Sequence, residues 1–226
     1  MIWEDHSRDI PKGKHALFGG SQYSWSNISM ESDEEFEDVL RSRYYATFAK
    51  DIGTIMHAWA ADRIKYRANV IKSDSKSLFI YIMNAFEAAH NYIPRQVVSY
   101  YIETCFPNLM LYIKDAIGFR LDPEVNLKYA EEFYGTADAI LYKKGEFLRI
   151  HDLKTGKTPA SLRQLEIYAA FCCLEYGIDP FSVFIELRIY QGGEILVGNP
   201  SGEVIKELMD RIKKTKIIFE KIQKEG

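Results

Sequence analysis

The sequence predicts an α/β fold in which a mixed β-sheet is flanked by helices and preceded by a mainly helical N-terminal lobe. Through the first half of the chain, apolar residues recur at steps of three and four, which is the period of a helix. After Pro123 they alternate or form short runs bounded by turn residues, as in buried strands. The 226 residues are 47% apolar and 27% charged, a globular composition that can bury a sizeable core. We therefore expect a single domain, 1–226, with a helical lobe at 1–120 and a sheet core at 121–226.

The first half of the chain reads as an extended arm followed by helices. Residues 1–30 are rich in Gly, Ser and Asn, and no fixed structure is predicted for them. An acidic run at 31–38 suits the first turn of a helix, where negative charge is favourable. Helical spacing then continues through 51–70, 77–90 and 96–117, and we expect breaks at Pro94 and again around Pro107.

The second half reads as strands with two helices. The expected order is three strands, a helix, two strands and a closing helix with lysines on its outer face. The strands are predicted at 125–129, 136–142, 147–153, 181–190 and 194–197, and the helices at 159–177 and 204–219, with Gly192-Gly193 as a hairpin turn.

Charge, hydropathy and cysteine content exclude several classes of protein. The formal net charge of -3 gives no overall preference for polyanions, although nucleic-acid binding depends on where the cations lie. No apolar run is long enough to span a bilayer and residues 1–5 do not resemble a secretion signal, so a cytoplasmic protein without membrane contact is expected. Three cysteines, Cys105, Cys172 and Cys173, cannot form a paired framework and are predicted to be buried free thiols.

Two carboxylates and a lysine stand out within the predicted sheet. Asp152 and Lys154 are two residues apart in a strand and therefore share one face. If residues 144–146 form a three-residue loop, Asp138 lies opposite Asp152 and their side chains start about 5 Å apart. Two carboxylates at that distance repel each other unless a cation lies between them. The pattern therefore predicts a divalent-metal site, with Lys154 placed to orient or deprotonate a water or to stabilise charge on a phosphate.

Neighbouring residues favour this interpretation over a surface hairpin with scattered salt bridges. Gln164 and Tyr168 are four residues apart on the following helix and share a face that can turn towards Lys154. Residues 143–163 carry six Lys or Arg against two acids, an excess that suits a phosphate backbone. Lys157 and Arg163 of this segment are the candidate DNA contacts.

The motifs resemble those of a known nuclease superfamily. G-T-A-D at 135–138, H-D-L-K-T-G-K at 151–157 and Q-L-E-I-Y at 164–168 are similar to the motifs of PD-(D/E)xK nucleases, in particular the RecB-like branch and related phage and prophage enzymes. Residues 15–17, 21–25 and the G-x-x-x-H segment 53–57 are similar to the N-terminal motifs of those proteins. The residue before Asp138 is Ala137 and not proline, as in other diverged members.

The resemblance implies a restriction-endonuclease-like fold and assigns roles. Asp138, Asp152 and the backbone carbonyl of Leu153 would hold the metal, and Lys154 would be the catalytic lysine supported by Gln164 and Tyr168. His57, which by itself would read as a core histidine, matches the histidine that adds a nitrogen ligand, and this favours Mn²⁺ over Mg²⁺. Glu124 matches the upstream glutamate loosely, because Glu131 and Glu132 compete for that role. The cysteines do not fit an iron–sulfur cluster, so the expected cofactor is Mg²⁺ or Mn²⁺ alone.

The expected function is metal-dependent hydrolysis of DNA by an exonuclease of phage or prophage recombination or DNA processing. Its substrate would be single-stranded DNA or duplex ends, with a phage recombination or single-strand-binding protein as a further partner. Two alternatives stay open: a structure-specific endonuclease for junctions or flaps, and a non-catalytic DNA-binding subunit that keeps the nuclease fold. Retention of an acidic pair that costs desolvation argues against the second alternative.

Overall fold

The computed structural model describes residues 33–156 and 158–225 of the chain. Contacts divide the chain into two units, 1–48 and 49–226. The described part of the first unit contains helix α1 (Asp33–Ala46), which confirms the helix predicted after the acidic run. The expected extended arm at 1–30, and with it the motif segments 15–17 and 21–25, lies outside the described residues.

Three helices open the second unit. They are α2 (Ala49–Lys65), α3 (Ser75–Ala88) and α4 (Arg95–Gly118), with a short 3-10 helix (Lys72–Asp74) before α3. The predicted break at Pro107 is wrong, because α4 continues through it. Pro107 is exposed, whereas its neighbours Phe106 and Asn108 are buried. Packing of the buried side of the helix thus offsets the roughly 3 kcal/mol that an interior proline costs.

A five-stranded mixed sheet follows, as predicted, within the described part of the second unit. Its spatial order is β1-β2-β3-β4-β5, with β3 and β4 parallel and the other neighbours antiparallel. Helix α5 makes the crossover that the parallel pair requires, and α6 closes the chain. The bounds are β1 (Asp122–Ala130), β2 (Phe133–Lys143), β3 (Phe147–Leu153), α5 (Arg163–Tyr176), β4 (Phe184–Gln191), β5 (Glu194–Gly198) and α6 (Gly202–Glu225).

Two elements begin later than the sequence indicates. Helix α5 begins at Arg163 and not near Pro159, because the amide group of Gln191 in β4 forms hydrogen bonds with the backbone of Gly156, Thr158 and Ala160. Strand β4 begins at Phe184 and not at Phe181, because Ser182 donates its backbone N–H and its hydroxyl to the carbonyl of Asp179 and closes a turn. In each case the hydrogen bonds of a polar side chain, which the spacing of apolar residues does not reveal, set the boundary of the element.

The core lies around β3, which is buried on both faces. Leu148 and Ile150 join the apolar cluster formed with α5 and α6. His151 follows Ile150 and lies on the opposite face of the strand. Its ring contacts the hydroxyl of Tyr190, and that hydroxyl donates to Asp115 of α4 at 2.7 Å. Burial, together with the charges of Arg188 and Arg149, lowers the pKa of His151 to about 3, so this imidazole is neutral.

The three cysteines are free and buried, as predicted, with Cys105 on α4 and Cys172 and Cys173 on α5. None of the described helices combines the length and the apolar character needed to cross a membrane.

Candidate metal centre

Three neighbouring strands each carry one carboxylate in the same row. The β2–β3 ladder pairs Lys143 with Phe147 and Ala139 with His151, which confirms the predicted three-residue loop. One step further along this register, Asp138 faces Asp152. In the β1–β2 ladder the pairs on either side of Glu124 place it opposite Asp138. The row is therefore Glu124, Asp138 and Asp152, on β1, β2 and β3.

Glu124 has a strained backbone at this point. Its φ of 53° lies in the left-handed region, which a glutamate rarely adopts. Such a conformation costs about 1–3 kcal/mol and persists where the surroundings impose it. The competing residues Glu131 and Glu132 lie in the turn between β1 and β2, several residues from the row. Of the three glutamates, Glu124 is the one that the fold brings to Asp138.

Helix α2 adds a histidine to the row. The Nδ1 atom of His57 lies 3.3 Å from Oδ2 of Asp138. One potential ligand atom from each of His57, Glu124 and Asp138 lies within 4.8 Å of the others. The fold therefore brings together the predicted ligands His57 and Asp138 and the less certain Glu124.

A glycine permits this approach of α2. A Cβ atom built on Gly53 would lie 2.9 Å from Oγ1 of Thr155, closer than real Cβ contacts. Gly53 is buried in α2 one turn before His57, and Thr155 follows Lys154. The absence of a side chain at Gly53 thus sets how closely the helix can approach the end of β3.

Asp152 lies beside this group and is buried, with 3% of its surface exposed. Its Oδ1 accepts a hydrogen bond of 3.1 Å from Nζ of Lys154. Its Oδ2 lies 3.0 Å from the same Nζ but accepts no hydrogen bond from any described residue. The ammonium group of Lys154 compensates part of the charge on this oxygen, and the oxygen keeps hydrogen-bonding capacity with which it could also bind a metal ion. This oxygen and the His and carboxylate donor set fit a divalent metal.

Leu153 contributes through its backbone. Its N–H donates to Oδ2 of Asp138 at 2.9 Å, so the end of β3 fixes the orientation of that carboxylate. The resemblance assigns a metal-binding role to the carbonyl of Leu153, and the contact seen here comes from the amide of the same residue.

A chain of hydrogen bonds runs from Asp152 to helix α5. Nζ of Lys154 donates to Oε1 of Gln164 at 2.9 Å, and Nε2 of Gln164 donates to the hydroxyl of Tyr168 at 2.8 Å. The Tyr168 ring lies over Gly135 of β2, where a Cβ would come within 2.5 Å of the ring. The structure thus brings Lys154, Gln164 and Tyr168 together, and the glycine of the G-T-A-D segment makes room for the tyrosine.

The electrostatics reflect several carboxylates in a small volume. Burial and then the charge of Asp138 raise the pKa of Asp152 to about 6, against the opposing effect of Lys154. Desolvation and the charge of Asp138 raise the pKa of Glu124. Burial lowers the pKa of His57, but the hydrogen bond and charge of Asp138 outweigh it and the net shift is upward. A bound divalent cation would relieve this repulsion.

Most of the positive side chains noted at 143–163 have acidic partners in the structure, and whether this segment contacts DNA stays a prediction. Lys143 lies by the β2–β3 turn, at the other end of the hairpin from Asp152. Arg163, a candidate DNA contact, begins α5 with a half-exposed side chain, and Lys157 lies outside the described residues. Four of the six cations are in ion pairs: Lys143 with Glu146, Arg149 with Glu186, Lys154 with Asp152 and Arg163 with Glu166.

The carboxylates border a cavity of about 510 Å³. Sequence reasoning did not single out Lys50, Thr54 or Thr155 of its lining, since each is an ordinary residue in its own segment. The cavity is lined by Ala49, Lys50, Gly53, Thr54, His57, Ala58, Glu124, Asp138 and Thr155.

Comparison with known proteins found no matching family model, no matching curated protein and no matching solved structure.

Proposed function

We propose that the protein is a divalent-metal-dependent nuclease with a restriction-endonuclease-like fold that hydrolyses DNA phosphodiester bonds, acting as an exonuclease in phage or prophage recombination or DNA processing. The observation that carries the proposal is that a His and carboxylate cluster lies next to a lysine held by Asp152 and Gln164, because Asp138 of the cluster is opposite Asp152 in the sheet. A five-stranded mixed sheet with helix α5 between its parallel strands supports the fold assignment.

The proposed metal ligands are His57, Glu124, Asp138 and Asp152. Carboxylate oxygens suit Mg²⁺ and Mn²⁺, and one imidazole nitrogen favours Mn²⁺. When bound, such an ion supplies positive charge that polarises a phosphate and makes a water molecule more acidic. The backbone amide of Leu153 orients the carboxylate of Asp138, and this would help to fix the position of the ion.

Lys154 is the proposed catalytic residue. Its ammonium group has three N–H donors, and Asp152 and Gln164 accept two of them. Among the described residues no further acceptor is bound to it, so the third N–H can donate to a phosphate oxygen, where it would stabilise the negative charge that develops in the transition state. Tyr168 accepts the amide N–H of Gln164, which leaves the amide oxygen directed at Lys154. Gln164 and Tyr168 are thus positioning residues.

The preference for DNA and for exonuclease action rests on the motif resemblance. A cleavage assay tests both. Purified protein with Mn²⁺ or Mg²⁺ is expected to degrade end-labelled linear DNA, single-stranded or duplex, and to leave a closed circle intact.

Substitution then links activity to the site. Lys154→Ala is expected to lower the rate of cleavage about 10³-fold, because it removes charge stabilisation at the phosphate. Lys144→Ala, at the exposed turn at the other end of the hairpin, is the matched control and should cleave as the wild type does.

Three outcomes would contradict the proposal in different parts. Cleavage of the circle would replace the exonuclease with an endonuclease. DNA binding without cleavage at any metal concentration would replace the enzyme with a non-catalytic subunit. Equal cleavage by Lys154→Ala and Lys144→Ala would remove the assigned site.

A further inference from the structure

The cavity beside the carboxylates has a second wall of opposite character, formed by the first three turns of α2. Glu124 and Asp138 line the sheet side, whereas Lys50, Thr54 and His57 line the helix side. Residues 50, 54 and 57 are spaced at four and three and so form one stripe of the helix. The sheet side of the cavity is therefore acidic, and the helix side carries a positive charge at Lys50, near the start of α2.

Lys50 is available to bind an anion. It is exposed, and no acidic side chain among the described residues forms an ion pair with it. Of the described residues that line the cavity, it is the one lysine or arginine. Two other described cations near the site have acidic partners, since Lys154 pairs with Asp152 and Arg163 with Glu166.

Space and distance fit a nucleotide strand between Lys50 and the carboxylates. Ala49, Gly53 and Ala58 have small side chains, and a volume of about 510 Å³ remains between the walls. Lys50 and His57 are seven residues apart, which is about 10 Å along the helix axis. The flexible stem of a lysine can cover part of this distance, so a phosphate neighbouring the one at the metal is within reach.

We propose that Lys50 binds the phosphodiester group next to the scissile one. This subsite rests on the proposed function, and it specifies the substrate as a strand with at least two consecutive phosphates that passes along the first turns of α2. A second phosphate in the cavity needs a cation of its own, because the sheet side is acidic. A metal and Lys154 can neutralise one phosphate, but the neighbouring phosphate would face an acidic wall without a cation unless Lys50 pairs with it.

The first test compares substrates with one and with several phosphates. The variant Lys50→Ala is assayed on a short oligonucleotide and on bis(4-nitrophenyl) phosphate, which has one phosphodiester and no neighbour. We expect KM for the oligonucleotide to rise about tenfold, and the loss of kcat/KM on it to exceed that on the small ester at least fivefold. Mn²⁺ affinity, measured by calorimetry, reports separately on the metal cluster.

Lys65 provides the matched control, because it is an exposed lysine at the other end of the same helix. Lys65→Ala should leave both substrates unaffected. In addition, the slope of log affinity against log salt for oligonucleotide binding should fall by about 0.7 for Lys50→Ala and not for Lys65→Ala, as expected for one lost phosphate contact on a single strand.

Two results would overturn the subsite. Kinetics and salt slope of Lys50→Ala that match those of Lys65→Ala would show that Lys50 is only solvated. An equal loss on both substrates would place Lys50 at the scissile phosphate. Oligonucleotide binding with Ca²⁺, measured by fluorescence anisotropy, keeps this test separate from turnover. A Lys50-dependent affinity in Ca²⁺, together with no cleavage in Mn²⁺ or Mg²⁺, would support the subsite and contradict the nuclease.

Discussion

Asp152 is the side chain whose environment is most demanding. It is almost fully buried, one of its oxygens lacks a hydrogen bond among the described residues, and it lies beside the carboxylate of Asp138. Burial of an incompletely paired charge costs free energy, so this position lowers the stability of the metal-free protein. Such a cost is typical of a site shaped for function and not for stability.

The pH dependence of stability follows from the raised pKa of Asp152. The folded protein holds its proton up to about pH 6, whereas the unfolded chain releases it near 3.8. Because the folded state binds more protons in this window, the stability of the wild type falls as pH rises through it. Asp152→Asn carries no such group, so its free energy of unfolding relative to the wild type should rise by about 2 kcal/mol between pH 4 and pH 7.

Urea unfolding with a chelator measures this difference. His151 titrates in both proteins, so its opposite contribution cancels. Asp62→Asn, an exposed position on α2, should show no such change with pH. A constant difference between Asp152→Asn and the wild type from pH 4 to pH 7 would contradict the assigned environment of Asp152.

At the scale of elements, the contact between α2 and the end of β3 assembles the site. Gly53 meets Thr155 at a distance that leaves no room for a Cβ, and His57 is one turn further along. The helix must therefore remain close to the sheet for the imidazole to reach Asp138.

Gly53→Ala separates stability from metal affinity. The preference of alanine over glycine in a helix, about 1 kcal/mol, offsets part of the cost of placing a Cβ in this buried contact, so thermal stability should change little. The added Cβ pushes α2 away from Thr155, and Mn²⁺ affinity should fall about tenfold by calorimetry. The double variant with Thr155→Ala should recover much of that affinity.

Gly118→Ala at the end of α4 is the control, because a Cβ there meets nothing within 4 Å. Unchanged Mn²⁺ affinity in Gly53→Ala would mean that the close contact does not control the position of His57.

Helix α4 supplies a separate prediction. Pro107 lies in its interior and cannot donate to the carbonyl of Glu103 one turn earlier. Because Pro107 is exposed, alanine can replace it without removing core packing. Pro107→Ala should raise the free energy of unfolding by about 1–3 kcal/mol in thermal or urea unfolding. A decrease in the free energy of unfolding would show that the proline is required for the buried side of α4 to pack correctly.

Local signals explain which parts of the fold could be predicted. The β2–β3 hairpin follows from two short apolar runs on either side of the turn that contains Gly145, and a three-residue loop between them brings Asp138 opposite Asp152. The prediction of a break at Pro107 was wrong because tertiary packing of α4 offsets the free-energy cost of the proline, and the local sequence does not show that packing.

The part of the candidate site that lies on the β2–β3 hairpin and on the following helix α5 could be predicted from the sequence. Lys154, Gln164 and Tyr168 are close in sequence, and spacing alone puts them on facing surfaces. The choice of Glu124 over Glu131 and Glu132 needed the β1 register. The sequence count of charges at 143–163 could not show that Arg149 pairs with Glu186, because that acid lies on a different strand.

At the level of the whole molecule, the proposed metal centre would link helix α2, from the first half of the chain, to carboxylates of the second half. Metal binding should therefore stabilise the folded second unit as a whole. Ligand linkage gives about 2.7 kcal/mol at a metal concentration of one hundred times Kd. A rise in Tm of this origin would depend on both His57 and Asp138.

The most direct measurement is a Mn²⁺ titration followed both by calorimetric binding and by the initial rate of linear DNA cleavage. We predict that the same Mn²⁺ concentration half-saturates both signals, and that Asp138→Ala loses both. Absence of cleavage when the calorimetric site is saturated, or wild-type binding by Asp138→Ala, would contradict the assignment of the carboxylate row and His57 as the metal centre of a nuclease.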